Sequence, residues 1–297
     1  MNERLEIITC SYGPDLERAR HLCASVDKYV DPSIRHTLIV PAKDRDQFRP
    51  LENRRRDVQV VQDVVPGNFR ALPPGRQAWV HKWGLPIRGW IMQQITKLSA
   101  NRATDAELIM FADSDLRFVR PLQMEDVYRD GRLRLHRIPG AKAEGRHLKW
   151  HQRTRELLGL PAASGSDAYL GSDYVGQLIT WRRDHLEGLQ RQIQVVTEEP
   201  WYKPVARSLH MSEYILYGSY VEHIAGAAGQ DHFYTSRDLC HCCWFQEDAE
   251  RLSAGTQGVD ASALAVLVQS NLGLAPAQED AVFDAAVRQL QPLAAGA

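Results

Sequence analysis

The first 65 residues alternate short apolar runs with amphipathic stretches. Leu5 to Cys10 (LEIITC) is apolar and β-branched without a polar alternation, the pattern of a strand covered on both faces. Ser11 to Asp15 (SYGPD) reads as a turn, and Pro14 and Asp15 suit the first turn of a helix. Leu16, Ala19, Leu22, Cys23 and Val26 then recur at helical spacing. His36 to Pro41 (HTLIVP) and Val58 to Val65 (VQVVQDVV) read as further strands. This rhythm predicts an α/β fold, with a mainly parallel sheet and helices on both faces.

From Pro66 to Trp90 the rhythm breaks. The segment is rich in Gly, Pro and Trp and has no clean period, so it reads as a functional loop. A helix is expected from about Gly89 to Asn101, with Ile91, Ile95 and Leu98 as its apolar stripe. Trp90, Gln94 and Lys97 share a neighbouring face at i, i+4 and i+7. Glu107 to Ala112 (ELIMFA) is the fourth strand, and it runs into Asp113-Ser114-Asp115. Later, Gly176 to Trp181 reads as a strand, followed by a helix to about Val196. Met211 to Ile224 reads as a helix, Asp231 to Phe245 as strand-like, and the chain from Gly255 onward as helical.

Charge adds one local feature. The formal net charge is -1, which provides no overall field for nucleic acid. Yet residues 131–155 carry eight Lys or Arg, three His and a single acid, Glu144. That segment reads either as a solvated loop or as a cradle for a phosphate-bearing substrate. The N-terminus lacks a signal-peptide core, and no apolar run approaches the roughly 18 residues of a membrane span. A cytoplasmic protein is expected, or one peripheral on the inner face of a membrane. An odd count of five cysteines argues against a disulfide framework. Neighbouring Cys242 and Cys243 are poorly spaced for one tetrahedral zinc, so Cys240–Cys243 reads as small buried side chains on a strand or turn.

The chemistry concentrates in FADSDLRFVRP. In open α/β sheets ligands collect at the carboxyl ends of strands. Two aspartates two apart at such an end can both reach one hard cation, Mg²⁺ or Mn²⁺, and leave positions for diphosphate oxygens.

On these residues the chain resembles the GT-A glycosyltransferases, and more closely a group of poorly characterised bacterial glycosyltransferase-like proteins. The likeness runs through GWIMQQITKLSA (89–100), FADSDLRFVRP (111–121), GQLITWRRDHL (176–186) and SEYILYGSYVE (212–222), and spans roughly residues 5–245. It implies a catalytic domain over 1–254, with a nucleotide-binding half at 1–121 and an acceptor half at 122–254, and a helical extension at 255–297. Thr9, Tyr12 and Asp15 would contact the nucleoside. Gln94 and Lys97 would face the diphosphate or the metal carboxylates. Asp113 would lie near ribose or metal, and Asp115 would bind the metal directly. His241 would be a further metal ligand, with His232 behind it, although a histidine in a Cys- and Trp-rich stretch is also an ordinary core residue. The implied donor is a nucleotide sugar, UDP-linked by default, and the implied acceptor a saccharide or lipid-linked molecule of a cell-surface polysaccharide pathway.

Glu213 is the candidate base. It shares a helical face with Tyr217 and Tyr220, and a carboxylate buried beside rings has a raised pKa. It reads equally as a helix-start glutamate. Asp173 and Asp184 are the alternatives. A sugar nucleotidyltransferase, a phosphoryl transfer between sugars and a non-catalytic carbohydrate-binding protein are the competing functions. The first normally needs a glycine-rich loop after its first strand, and TCSYGPDLERAR has one glycine. The absence of GxxxxGK[ST] and GxGxxG argues against a P-loop NTPase and a Rossmann dehydrogenase.

Overall fold

A computed structural model describes residues 3–72, 78–81, 86–162 and 169–294. Its centre is a five-stranded sheet. The strands are β1 (Leu5–Cys10), β2 (Arg35–Val40), β3 (Arg56–Val60), β4 (Leu108–Phe111) and, further along the chain, Ile179–Arg182. The last pairs antiparallel with β4, while β4, β1, β2 and β3 run parallel in that spatial order. The apolar runs explain this placement, because every residue of β1 and β4 is buried. Ile7 and Met110 meet α1 (Leu16–Tyr29) through Leu22 and Val26. Ile8, Ile109 and Phe111 face the opposite layer, with Ile91 and Ile95 of α2 (Gly89–Lys97). Each such side chain contributes roughly 1.5–3 kcal/mol on leaving water.

The order places β1 between β2, which follows it in sequence, and β4, which arrives after a long excursion. The chain therefore reverses its direction of travel across the sheet between β1 and β4. At such a switch point the connections leave on opposite sides and a crevice opens at the carboxyl ends. Cys10 to Tyr12 and Asp113 to Asp115 both lie there, since Ala112 N–H donates to Ile8 O at 3.1 Å.

A second, three-stranded sheet stands beside that edge. It joins β5 (Leu116–Phe118) to later strands at Cys240–Cys243 and Ala265–Val268, and the third of these lies between the other two. The segment after Gly255 is thus not wholly helical. Its AVLV run is a buried strand, and a helix follows at Pro276–Ala294. Several other expectations are also corrected. Within Pro66–Trp90, Phe69–Ala71, Ala78–His81 and Pro86–Arg88 form an antiparallel meander that buries Phe69, Trp79 and Ile87 in the core; residues 73–77 and 82–85 lie outside the described part. Val58–Val65 divides into β3 and a helical turn at Val61–Val64. The basic 131–155 segment is not a loop. It forms β6 (Arg132–His136), a strand at Ile138–Ala143 and a helix at Gly145–Leu158. The RLRLH alternation was its legible signal, with Leu133 and Leu135 buried.

The remaining labels follow in chain order: β7 (Ile179–Arg182), α3 (Arg183–Thr197), α4 (Glu213–His223), β8 (His232–Thr235), β9 (Cys240–Cys243), β10 (Ala265–Val268) and α5 (Pro276–Ala294). Ser212 caps α4, its hydroxyl accepting from Ile215 N at 3.4 Å. Close packing makes one position on α4 intolerant of bulk: a Cβ on Gly218 would lie 2.2 Å from Cδ1 of the buried Tyr174 ring. Gly218→Ala should therefore cost about 1–3 kcal/mol in urea unfolding, despite alanine's better helix propensity. A loss under about 0.5 kcal/mol would mean that the ring moves aside freely.

Candidate functional site

The carboxyl-end crevice collects charged groups from five separate stretches of chain. At its floor, Lys97 on the last turn of α2 is almost fully buried. Its Nζ lies 3.0 Å from Asp113 Oδ1 and 3.2 Å from Glu213 Oε1, and it donates to the Tyr214 hydroxyl at 2.8 Å. The Asp113 contact lacks hydrogen-bond alignment, so Oδ1 has no hydrogen-bond partner among the described residues. Burial alone would lower the Lys97 pKa. Asp113, Tyr214 and Glu213 together outweigh it and raise the value well above the ordinary one. These partners accordingly favour the charged form of Lys97. Burial in turn raises Glu213, against the pull of Lys97.

Asp115 lies under the last chain segment. Its Oδ2 accepts from Ser270 N at 3.1 Å, and its backbone oxygen accepts from Val268 N at 3.1 Å. Burial pushes its carboxyl up to about 7, and repulsion from Asp113 and Asp15 adds to this. Asp15 is half-buried and raised mainly by burial, with Arg18 and the Ser114 hydroxyl acting against it. Arg18 Nη1 is 3.5 Å from Asp15 Oδ1, and its Nη2 is 2.6 Å from Glu279 Oε1 on α5. Tyr12 stands at the same turn, its hydroxyl raised by burial and by Asp15. Gln94, one turn before Lys97, is 1% exposed with neither amide atom hydrogen-bonded. Such an unsatisfied carboxamide is costly in a finished interior and fits a place that awaits a polar ligand.

The structure thus gathers Tyr12, Asp15, Lys97, Asp113, Asp115 and Glu213 around one edge. Other candidates lie elsewhere. Thr9 is fully buried on the α1 side of β1, its Oγ1 3.0 Å from His36 Nε2, so its hydroxyl is committed to the interior. Asp115 is not among the acids that act on His241. Burial lowers its pKa, and the acids that reach it are Asp248 and Asp260. It is Cys240, the alternate residue of β9, that feels Asp115. His232 is buried against His185, with ring centroids 5.0 Å apart, and burial lowers its pKa to about 3. Asp173 caps its own turn through Val175 N at 3.0 Å and lies 3.8 Å from His147 Nδ1. For Glu213 the neighbouring phenol is Tyr214, with which it shares Lys97. Tyr217 instead stacks on Trp181 at 4.7 Å. The thiols of Cys240 and Cys242 point to backbone carbonyls at 3.7 Å.

Asp184 belongs to a second cluster at the opposite end of the sheet. With His185 and Asp231 it forms a group whose ligand atoms lie within 4.8 Å of one another. There the Arg182 guanidinium already stands 3.4 Å from Asp184 and 3.3 Å from Asp231, and so supplies the neutralising charge. Sequence reasoning missed Arg18, Ser270 and Glu279. Asp15 and Arg18 are spaced i, i+3 on one helical turn, a detectable ion pair. Nothing local marks Ser270 or Glu279, which reach the crevice only through the β10 register.

Among the described residues, Asp113 and Asp115 suit a small hard cation. Mg²⁺ and Mn²⁺ sites commonly use one or two carboxylates and complete their shell with phosphate oxygens and water. Among the described residues Asp115 has no ion-pair partner, whereas Asp113 Oδ1 already faces the Lys97 ammonium at 3.0 Å. Fold and site together define an α/β protein with an acidic edge at its switch point. The chain belongs to the family of unknown function DUF6492, whose model matches residues 5–290. The bounds of that match fall in β1 and in α5 and enclose the second sheet. No curated protein matches the chain. No helix among the described residues is long and apolar enough to cross a membrane.

Proposed function

We propose that the chain is a metal-dependent glycosyltransferase of the GT-A type, acting on a nucleotide-sugar donor. The observation that carries this reading is the meeting of Asp113, Asp115 and the buried, ion-paired Lys97 at the carboxyl ends of β1 and β4. An acidic pair with an adjacent cation suits a diphosphate bound through a divalent ion. A sugar phosphate alone would need less positive charge.

In this reading Asp115 would hold the cation, with Asp113 beside it. When bound, the ion would neutralise charge on the departing diphosphate. Lys97 would contribute a fixed positive charge toward the same oxygens, preorganised because Glu213 and Tyr214 hold its ammonium group. Glu213 then acts as a positioning residue through Lys97, since its Oε1 already faces that ammonium. Tyr12 and Asp15 line the nucleoside side, and the free carboxamide of Gln94 faces donor oxygens.

The test is a thermal-shift series with UDP, GDP, CDP and their sugar conjugates, with and without Mn²⁺. A ligand specific to the folded state adds about 2.7 kcal/mol at a hundredfold excess over Kd. One diphosphate should stabilise the protein only when Mn²⁺ is present, and turnover of its conjugate should release that diphosphate. Release of the nucleoside monophosphate instead would indicate phosphoryl transfer. The proposal is lost if no nucleotide shows metal-dependent stabilisation.

A further inference from the structure

A second charged pocket lies at the far end of the three-stranded sheet. Arg120, Arg129, Arg134 and Arg237 line a cavity of about 340 Å³, and Asp126 is the only acid in its lining. The acceptor for each of the first three guanidiniums is a neutral carbonyl. Arg120 donates to Ala261 O, Arg129 to Glu125 O and Arg134 to Arg237 O. Among the described residues, only Arg237 of the four has a carboxylate within ion-pair distance, Asp260 at 4.0 Å. Asp126 is occupied in capping its helix, accepting from Gln123 N at 2.8 Å. Asp238 lies near Arg134 without forming an ion pair with it, and accepts from Cys240 N at 3.1 Å.

Arg134 is the unusual member. It is 2% exposed, and its Nη1 is buried with no hydrogen-bond partner among the described residues. A buried guanidinium without a carboxylate is expensive unless something else completes it. Burial also pulls its pKa down to about 10. The fork of donors and the three arginines around it match a tetrahedral oxyanion, which accepts from several guanidiniums at once.

We propose that this pocket binds a phosphate group, with Arg134 as the buried anchor and Arg120, Arg129 and Arg237 as the rim. Phe233 forms one wall and stacks against Arg129, whose Cζ lies 5.5 Å from the ring centroid. The site is separate from the carboxylate crevice. The cavity borders Leu264, at the Phe118 end of β5, whereas Asp115 precedes its other end. Three strand residues intervene, about 10 Å. The phosphate could belong to a soluble phosphoester or to an anionic lipid headgroup.

Isothermal titration with pyrophosphate in excess EDTA reads this site alone, because the crevice is then without divalent ions. A parallel sedimentation assay uses phosphatidylcholine vesicles with and without phosphatidic acid. Pyrophosphate binding without sedimentation assigns a soluble phosphate. Sedimentation that requires phosphatidic acid assigns a headgroup. In either case the Arg120→Gln/Arg129→Gln/Arg237→Gln variant should bind at least tenfold more weakly, and Arg129→Gln alone at least threefold. Asp115→Asn should leave binding in EDTA unchanged. No binding in either assay, or binding that survives the triple substitution, overturns the proposal.

Discussion

Lys97→Met should cost about 3–5 kcal/mol of folding stability, because it strands a buried carboxylate. Removing one partner of a buried ion pair leaves the other uncompensated, and losses of that size follow. Glu213 is 6% exposed and has Lys97 as its ion partner. Asp113 is more exposed and can turn to water. The second substitution separates charge from packing. Lys97→Met/Glu213→Gln removes the stranded charge and should recover more than half of the loss. In the single variant the deficit should also shrink in acid. With Lys97 gone, burial and repulsion from Asp113 outweigh a backbone hydrogen bond and raise the folded-state pKa of Glu213 above the unfolded value. The penalty is therefore absent below the unfolded pKa and complete once pH exceeds the folded one. Urea unfolding at pH 4 and pH 8 measures both effects. A Lys97→Met protein as stable as the wild type at pH 8 would mean that Glu213 is not ionised in the folded state.

The second large effect concerns Asp115, and its sign is opposite. Its carboxyl titrates near 7 in the folded protein, against about 3.9 in an unfolded chain. Between these values the folded state retains a proton that the unfolded state has released. Stability therefore falls as pH rises through that window, and the whole penalty stands above pH 7. About three pK units at 1.36 kcal/mol each set an upper bound of about 4 kcal/mol. Asp115→Asn keeps an oxygen for Ser270 N and cannot ionise. In EDTA it should be more stable than the wild type by about 1–4 kcal/mol at pH 8 and equal to it at pH 4. Under the proposed function the order should reverse with Mn²⁺ and nucleotide diphosphate, since the wild type would gain binding energy that the variant lacks. Equal stability of the two proteins at both pH values would remove the buried-carboxylate account.

The central sheet was legible because its strands are buried on both faces, so runs such as LEIITC and ELIMFA need no alternation to be recognised. The aspartates at the end of β4 were legible for the same reason, since a strand end at the edge of a parallel sheet has a known use. Lys97 was found from helical spacing. Its contact with Glu213 depends on how α4 packs across α2, which no local pattern encodes. For His241 no local pattern shows which acids it meets: they are Asp248 and Asp260, which follow it in the chain. The tail misled because AVLV is four residues long in an alanine-rich stretch, too short for periodicity to separate strand from helix. The 131–155 segment was judged by its charge, although its alternation was visible in RLRLH.

The Ser270 contact with Asp115 has a consequence for the order of synthesis. The two residues are 155 positions apart. At cellular elongation rates, roughly 10–30 s separate their appearance from the ribosome. During that interval β5 has neither β10 nor α5 beside it, and Asp115 is still in contact with water. Its carboxylate is then an ordinary one, charged and hydrated. Only when the last strand docks does the cost of its charge arise, so it is a strain that the nascent chain never carries.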